Sequence, residues 1–278
     1  MTQNTLLGVP IEILSKREVF FLCKKWLIED SKNNYHHQIV TVNPEFLMEA
    51  RKNKIFLRVL QSADLRIADG FGLVCASVFL YGFKKKLFRM TGVELTDILA
   101  QLCAETGRKI YLLGAYGEVA EKAAQVLREK FPLLVIAGAE EGMSRKSTQR
   151  KVRLPKIDSG SQIGPVLDCD RGSGMTDEDV CARISASGAD ILLVAFGAPK
   201  QDMWIAENKE RLSGIKIAVG VGGTFDYLAG VVPYAPRVLR MLGLEWLFRL
   251  ITQPHRLGRI FTAVIRFPLA VISERLKK

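Results

Sequence analysis

Twice in the second half of the chain an apolar run stops at a glycine-rich polar turn. Asp190 to Gln201 reads DILLVAFGAPKQ, and Ile215 to Gly230 reads IKIAVGVGGTFDYLAG. Short, continuously apolar runs bounded by turn formers read as strands buried on both faces. Two such strands side by side would open a ligand cleft at their carboxyl ends. The same rhythm runs through the rest of the chain. Helical apolar spacing over Lys16 to Glu29 precedes a strand at Gln38 to Val42, and Asn43-Pro44 then opens a helix with Asn as N-cap and Pro in the first position. Leu65 to Ala68 reads as a strand that ends at Asp69-Gly70 and gives way to a further helix. Lys109 to Leu113 leads through Gly114 into another strand-turn-helix unit, Leu133 to Ala137 supplies the next strand, and Thr176 can cap a helix with Glu178 or Asp179 in its first turn. Strands alternating with helices predict an α/β fold, a Rossmann-like parallel sheet covered by helices.

Two stretches depart from this rhythm. Residues 143–175 begin with a basic segment, SRKSTQRKVRLPK, and continue with turn formers, which reads as a long irregular loop or a substrate lid. After Gly230, Val238 to Ile251 and Leu257 to Leu276 have amphipathic spacing punctuated by Arg240, Arg249, Arg256, Arg259, Arg266 and Arg275. Such helices pack on the core or lie on a membrane surface. The expected organisation is a core over residues 1–232 and a basic, amphipathic helical appendage over 233–278.

Charge sharpens that division. The chain of 278 residues carries a formal net charge of +11, and from Arg237 to Lys278 there are nine Lys or Arg against two Glu. A tail of this kind seeks anionic partners: lipid headgroups, diphosphates or nucleic acid. Five widely spaced cysteines without a C-x-x-C pair read as free thiols in a reducing cytosol. The N-terminal stretch MTQNTLLGVPIEIL lacks the pattern of a signal peptide, and Ile260 to Ile272, interrupted by Arg266 and Pro268, is too short to span a bilayer.

Four constellations can carry chemistry. In Thr41-Val-Asn43-Pro-Glu45 a strand end runs into a helix start, where free N–H groups attract an anion or polar ligand; it also reads as an ordinary cap. In Ala68-Asp69-Gly70-Phe71-Gly72 a strand-end Asp flanked by glycine can approach a ligand closely. With an ordinary pKa of about 3.9 it would be ionised and able to accept a hydroxyl proton as a bond to an electrophile forms. Gly114-Ala-Tyr-Gly117, with Glu140 and Glu141 after the next strand, hints at a dinucleotide fold, but the full G-x-G-x-x-G is absent. The two opening segments supply Lys200 and Gln201 near a helix N-terminus, the backbone of Gly222 and Gly223, and Asp226 as an acceptor for sugar hydroxyls. Asp168-Cys-Asp170 has the spacing of a metal-binding D-x-D but sits in the irregular loop, so no metal site is expected.

In order along nearly the whole chain, LLGVPIEIL, VTVNPEFLMEA, ADLRIADGFG, FRMTG, IYLLGAYGEVAEKAA, FGAPKQDMW, GVGGTFDYLAG and GLEWLFRLITQPHRLGR resemble the WecG/TagA/CpsF glycosyltransferase family, glycosyltransferase family 26. The resemblance implies an inverting, metal-independent hexosyltransferase of cell-envelope or exopolysaccharide biosynthesis that uses no cofactor. It would move N-acetylmannosamine, its uronic acid, glucose or glucuronic acid from a UDP-sugar donor to an undecaprenyl-diphosphate-linked saccharide acceptor. The enzyme would be cytoplasmic, peripheral on the inner face of the bacterial plasma membrane against an anionic membrane surface. A homo-oligomer is compatible with this reading, and no nucleic acid partner is implied. Carried over residue by residue, Asp69 is the catalytic base, Thr41, Asn43 and Arg89 line the pocket, and Gln201, Gly222, Gly223 and Asp226 lie on the donor side. Arg249, Arg256 and Arg259 belong to the appendage on the diphosphate and membrane side. Three departures stand out: Asp202 replaces the family's usual Glu, Tyr234 replaces the Arg of an Arg-Ala-Pro motif, and the 143–175 loop is longer. Two readings from other classes remain, a nicotinamide-dependent oxidoreductase built on Gly114 to Gly117, and a non-catalytic basic membrane- or nucleic-acid-binding module.

Overall fold

The structure, a computed structural model, describes residues 2–28, 36–141, 176–236, 238–239 and 243–276. The irregular loop over 143–175, with Asp168 and Asp170, lies outside the described residues.

A six-stranded, wholly parallel sheet forms the centre, in the order β4-β3-β8-β7-β5-β6. Its strands are β3 (His37–Val42), β4 (Leu65–Ala68), β5 (Lys109–Gly114), β6 (Val135–Glu140), β7 (Ile191–Ala195) and β8 (Ile217–Gly220). The apolar runs of β7 and β8 are buried at every position and pair directly, Ile191 with Ile217 through Val194 with Gly220. The two glycine turns therefore emerge side by side, at the point where the chain, having left β3 for one edge and β5 for the other, returns to the middle of the sheet. That is where an open α/β sheet presents a crevice.

Helices cover both faces. On one, α1 (Lys16–Ile28), α5 (Gly92–Thr106), α6 (Val119–Lys130) and α9 (Thr224–Leu228) share a core with Ile39, Ile67, Leu112, Leu193 and Val219. On the other lie α2 (Pro44–Ala50), α3 (Lys54–Ser62) and α4 (Phe71–Tyr81), with α7 (Asp177–Ala186) and α8 (Lys200–Glu207) further along. The predicted strand at Leu133 to Ala137 is displaced by two to three residues. Leu133 is exposed in the preceding turn, and β6 continues through small and polar residues to Glu140, with a register shift between Ile110 and Tyr111, whose ring fills the space over Gly138.

The first two strands, β1 (Gln3–Leu6) and β2 (Val9–Glu12), form an antiparallel hairpin beside edge strand β4. Its anchor is a buried ion pair between Glu12 and Arg66, in which the Arg66 guanidinium also donates to the carbonyls of Gln61 and Ala63. The hairpin covers a sheet edge that would otherwise offer unpaired backbone groups.

The C-terminal segment comprises α10 (Glu245–Thr252), a short turn over Pro254–Arg256, and a helix over residues 257–275. This last helix has three parts: α11 (Leu257–Phe261), a π-helical turn (Thr262–Arg266) and α12 (Phe267–Arg275). Pro268 cannot donate to the carbonyl one turn back, and the wider π turn beside it absorbs the break. Phe267, Ala270 and Val271 are buried against α2 and α4, while Leu257, Ile265, Leu269 and Leu276 face outward. The segment thus packs on the core with one face and exposes an apolar face. Among the described residues no helix is long and apolar enough to cross a membrane.

Replacing Glu12 by Ala strands the Arg66 charge and should lower unfolding stability by about 3–5 kcal/mol in urea titrations. Replacing both members together, Glu12→Leu with Arg66→Met, should recover most of that loss.

Candidate active site

A cleft of about 300 Å³ opens at the carboxyl ends of β3, β4, β5, β7 and β8. All eleven residues singled out in the sequence line it: Thr41, Asn43, Asp69 and Arg89 from the first half, Gln201, Gly222, Gly223 and Asp226 from the glycine turns, and Arg249, Arg256 and Arg259 from the C-terminal segment.

Local physics places each of them. Asn43 caps α2, its Oδ1 accepting from Phe46 N–H at 3.0 Å, with Pro44 in the first helical position. The Thr41 hydroxyl donates to the Gly220 carbonyl at 3.2 Å and ties β3 to β8. Asp69 follows β4 directly, held by its own N–H on the Val42 carbonyl at 2.6 Å. Arg89 sits on a one-residue parallel bridge with Ala68, completed by Met90 N–H donating to the Ala68 carbonyl at 2.9 Å. Thr91 and Glu94 form a reciprocal capping box at the start of α5, and Gly92 lies so close to Thr224 that a Cβ would stand 2.8 Å from its hydroxyl.

Gln201 lines the cleft and also ties its two glycine turns together. It is only 1 % exposed, and its Oε1 accepts from Gly197 N–H at 3.1 Å and from Gly222 N–H at 2.9 Å. One side-chain oxygen thereby fastens the first glycine turn to the second. Beneath it, Gly220 leaves no room for any side chain: a Cβ would lie 2.5 Å from Asp202 Oδ1 and 2.6 Å from Gln201 Nε2. Asp202 is fully buried, and burial pushes its carboxyl up to about 7. The Gly222 N–H is thus committed to Gln201, and what this turn offers the cleft is its close backbone and Asp226 just beyond.

The electrostatics centre on Asp69. Burial raises its pKa from the ordinary value to about 6, against the pull of Arg249 and Arg89 and with help from Glu245 and Glu94. Where the sequence alone suggests an unperturbed carboxylate, the structure makes it a markedly stronger base that is still mostly ionised at neutral pH. Four arginines line the same cleft. Glu245 receives Arg89 at 2.7 Å on one oxygen and Arg249 at 2.6 Å on the other, joining the core to α10. Arg259 pairs with Glu45 at 2.5 Å. Arg256 makes no ion pair among the described residues; burial, with Arg259 and Arg249 nearby, pulls its pKa below the usual arginine value. An anion arriving at Arg256 would relieve that repulsion.

Tyr234 stands where an Arg-Ala-Pro motif would place a cation. It lines the cleft with its ring 5.0 Å from that of Tyr227, and Tyr227 in turn lies 5.5 Å beneath the Arg249 guanidinium. Here the Tyr227 face, backed by Tyr234, meets a neighbouring arginine in place of an added one. Sequence reasoning missed Glu245, Tyr227 and Glu45 as site residues; the only signal for Glu245 was its place in GLEWLFR, where it reads as an exposed helical acid.

The features behind the dinucleotide reading have structural uses. A Cβ on Gly114 would lie 2.8 Å from the Ala195 backbone, so this glycine allows β5 and β7 to approach, and Glu140 pairs with Arg183 at 2.9 Å. Ala115 and Tyr116 nevertheless reach the cleft wall. Among the described residues no three His, Cys, Asp or Glu side chains gather as a metal site would require.

Residues 4–278 match the model of the Glycosyl transferase WecG/TagA/CpsF family. The chain belongs to this family. It is a glycosyltransferase, and neither the oxidoreductase nor the non-catalytic reading survives. Similar curated proteins include the N-acetylglucosaminyldiphosphoundecaprenol N-acetyl-beta-D-mannosaminyltransferases of Staphylococcus aureus strains MRSA252 and NCTC 8325. Each is 27 % identical over 275 residues, covering 98 % of this chain and 94 % of the relative.

Gln201→Ala removes the acceptor shared by two part-buried N–H groups. It should cost about 1–3 kcal/mol in unfolding stability. By loosening both turns it should also lower kcat/KM by about 100-fold, since misplacement on the order of 1 Å carries such a penalty. A stability loss with unchanged kcat/KM would show that the clamp does not set the site.

Proposed function

We propose that the protein is an inverting glycosyltransferase that joins a sugar from a UDP-sugar to a saccharide linked through diphosphate to a polyprenol, at the inner face of the plasma membrane. The observation that carries this reading is Asp69: a carboxylate raised to about 6 at a strand end, facing both glycine turns and set among arginines of the core and the C-terminal segment. The acceptor hydroxyl attacks the anomeric carbon of the donor and the bond to the nucleoside diphosphate breaks. Asp69 takes the hydroxyl proton, and Arg256 and its neighbours stabilise the charge on the departing diphosphate. Pocket roles follow for Thr41, Asn43, Arg89, Gln201, Gly222, Gly223 and Asp226, with Gln201 and Gly222 acting as positioning residues that set the donor side.

UDP-N-acetylmannosamine is the first donor to test and N-acetylglucosaminyldiphosphoundecaprenol the first acceptor, because the names of the Staphylococcus aureus relatives state that sugar and that lipid. Residues 233–278 act as an appendage that completes the site and meets the membrane. Support comes from Arg249, Arg256 and Arg259 in the cleft and from Leu257, Ile265, Leu269 and Leu276 exposed on the outer side of the same segment.

The test is to incubate the purified protein with these two substrates and weigh the lipid product, which should gain one N-acetylhexosamine. The acid side of kcat/KM should fall off near pH 6, because Asp69 must be ionised to accept a proton and loses that form as pH drops through its folded value. Asp69→Asn should lower kcat by about 10²–10⁴-fold and abolish that limb. Unchanged turnover in this variant would remove Asp69 from the chemistry.

A further inference from the structure

Beside the cleft runs a second, larger concavity of about 510 Å³. The two share Asn43, Asp69, Arg89, Glu245 and Arg249, so the second space begins where the charged site ends. Its walls are of another character. One is the stripe Phe71, Cys75 and Phe79 along α4, spaced to lie on one helix face; the other is Ile260, Val264 and Val271 along the C-terminal helix. α4 and α12 run in the same direction: Gly72, near the start of α4, lies against Phe267 at the start of α12, and the Arg275 guanidinium stands 4.9 Å over the Phe79 ring near the ends of both. From Phe71 to Phe79 the groove is about 12 Å long by helical rise.

The far end differs again. Just after α4, Phe83 is 82 % exposed and is followed by Lys84, Lys85 and Lys86, all exposed, while Leu276 at the end of the C-terminal helix is 83 % exposed. Large apolar side chains flanked by lysines suit the boundary between acyl chains and anionic headgroups.

We propose that this groove holds the first isoprenoid units of the polyprenyl chain of the acceptor, running from the diphosphate at Arg89 and Arg249 to the bilayer at Phe83 and Leu276. The proposal rests on the lipid-linked acceptor given above and adds where the lipid lies. Continuity with the charged cleft argues for one amphiphilic occupant. The order of chemistry along it, base, then guanidiniums, then an apolar trough, then a basic rim, matches the order sugar, diphosphate, hydrocarbon, membrane. Contact with hydrocarbon adds binding energy in proportion to the apolar area covered.

Two measurements test it. A farnesyl diphosphate analogue with a benzophenone in its last unit, photolysed with the full chain, should label peptides spanning residues 71–79 and 260–272; labels found only elsewhere overturn the proposal. Independently, kcat/KM is compared for N-acetylglucosaminyl diphosphates esterified with methyl and with farnesyl. The farnesyl ester should be preferred by about tenfold or more. In Cys75→Trp and Ala263→Trp, whose added rings fill the groove, that preference should collapse toward unity while the thermal unfolding midpoint stays near the wild-type value. A preference retained in both folded variants, or equal use of the two esters by the wild type, overturns the groove. If the wild type glycosylates neither ester nor the undecaprenyl acceptor, the proposed reaction itself fails, and the photolabel decides the groove alone.

Discussion

The site depends on a single side-chain carbonyl. Gln201 Oε1 takes the N–H groups of Gly197 and Gly222 together, and those two glycines belong to turns that leave neighbouring strands. Without that shared acceptor, each turn would have to satisfy its part-buried donor separately, and beyond the Val221 N–H bond to the Val194 carbonyl the turns would lose their direct tie. The clamp in turn requires Gly220, since a methyl group there would collide with both Gln201 and Asp202. A run of apolar residues ending in glycine thus does more than release the chain from the sheet. It leaves a hole of the right size for the residue that locks the cleft.

Around this neutral frame the charges are arranged in order of their ties. Arg89 and Arg249 are coupled through Glu245, Arg259 is paired with Glu45, and Arg256 stands apart from ion pairs among the described residues. Tyr227 brings its aromatic face against Arg249, and Tyr234 packs against Tyr227. The C-terminal segment is therefore held by two kinds of contact, apolar burial of Phe267 and Val271 against the core and ion pairing at the cleft rim. The first fixes the helix in place; the second makes its arginines part of the same electrostatic system as Asp69.

Much of this could be read from residue order, for a physical reason. Strand ends in a parallel sheet converge on one edge, so motifs at strand ends become neighbours whatever their separation in the chain. Asn43 as N-cap, Asp69 after β4 and the paired turns after β7 and β8 all follow from that rule. What could not be read depends on contacts between distant side chains. Gln201 looks the same in sequence whether it faces a ligand or bridges two turns, and Glu245 looks like any acid in the first turn of an amphipathic helix. β6 was displaced because Leu133 is apolar yet exposed, while Gly138 to Glu140 pair with β5 without an apolar signature. The π turn at Thr262–Arg266 had one clue, Pro268, which also served to argue against a membrane span.

Glu245 has a consequence for turnover. A carboxylate already shared by two guanidiniums means that, on the proposed reading, a diphosphate reaching Arg89 and Arg249 enters by exchange, displacing one anion with another. The net gain is the difference between two anion contacts, which keeps a doubly charged product from being held too long. The same exchange frees the α10 side of the bridge while substrate is present. Arrival of the lipid head group and the grip between core and C-terminal segment then become two sides of one equilibrium, and the enzyme can let go of its product by re-forming a bond with itself.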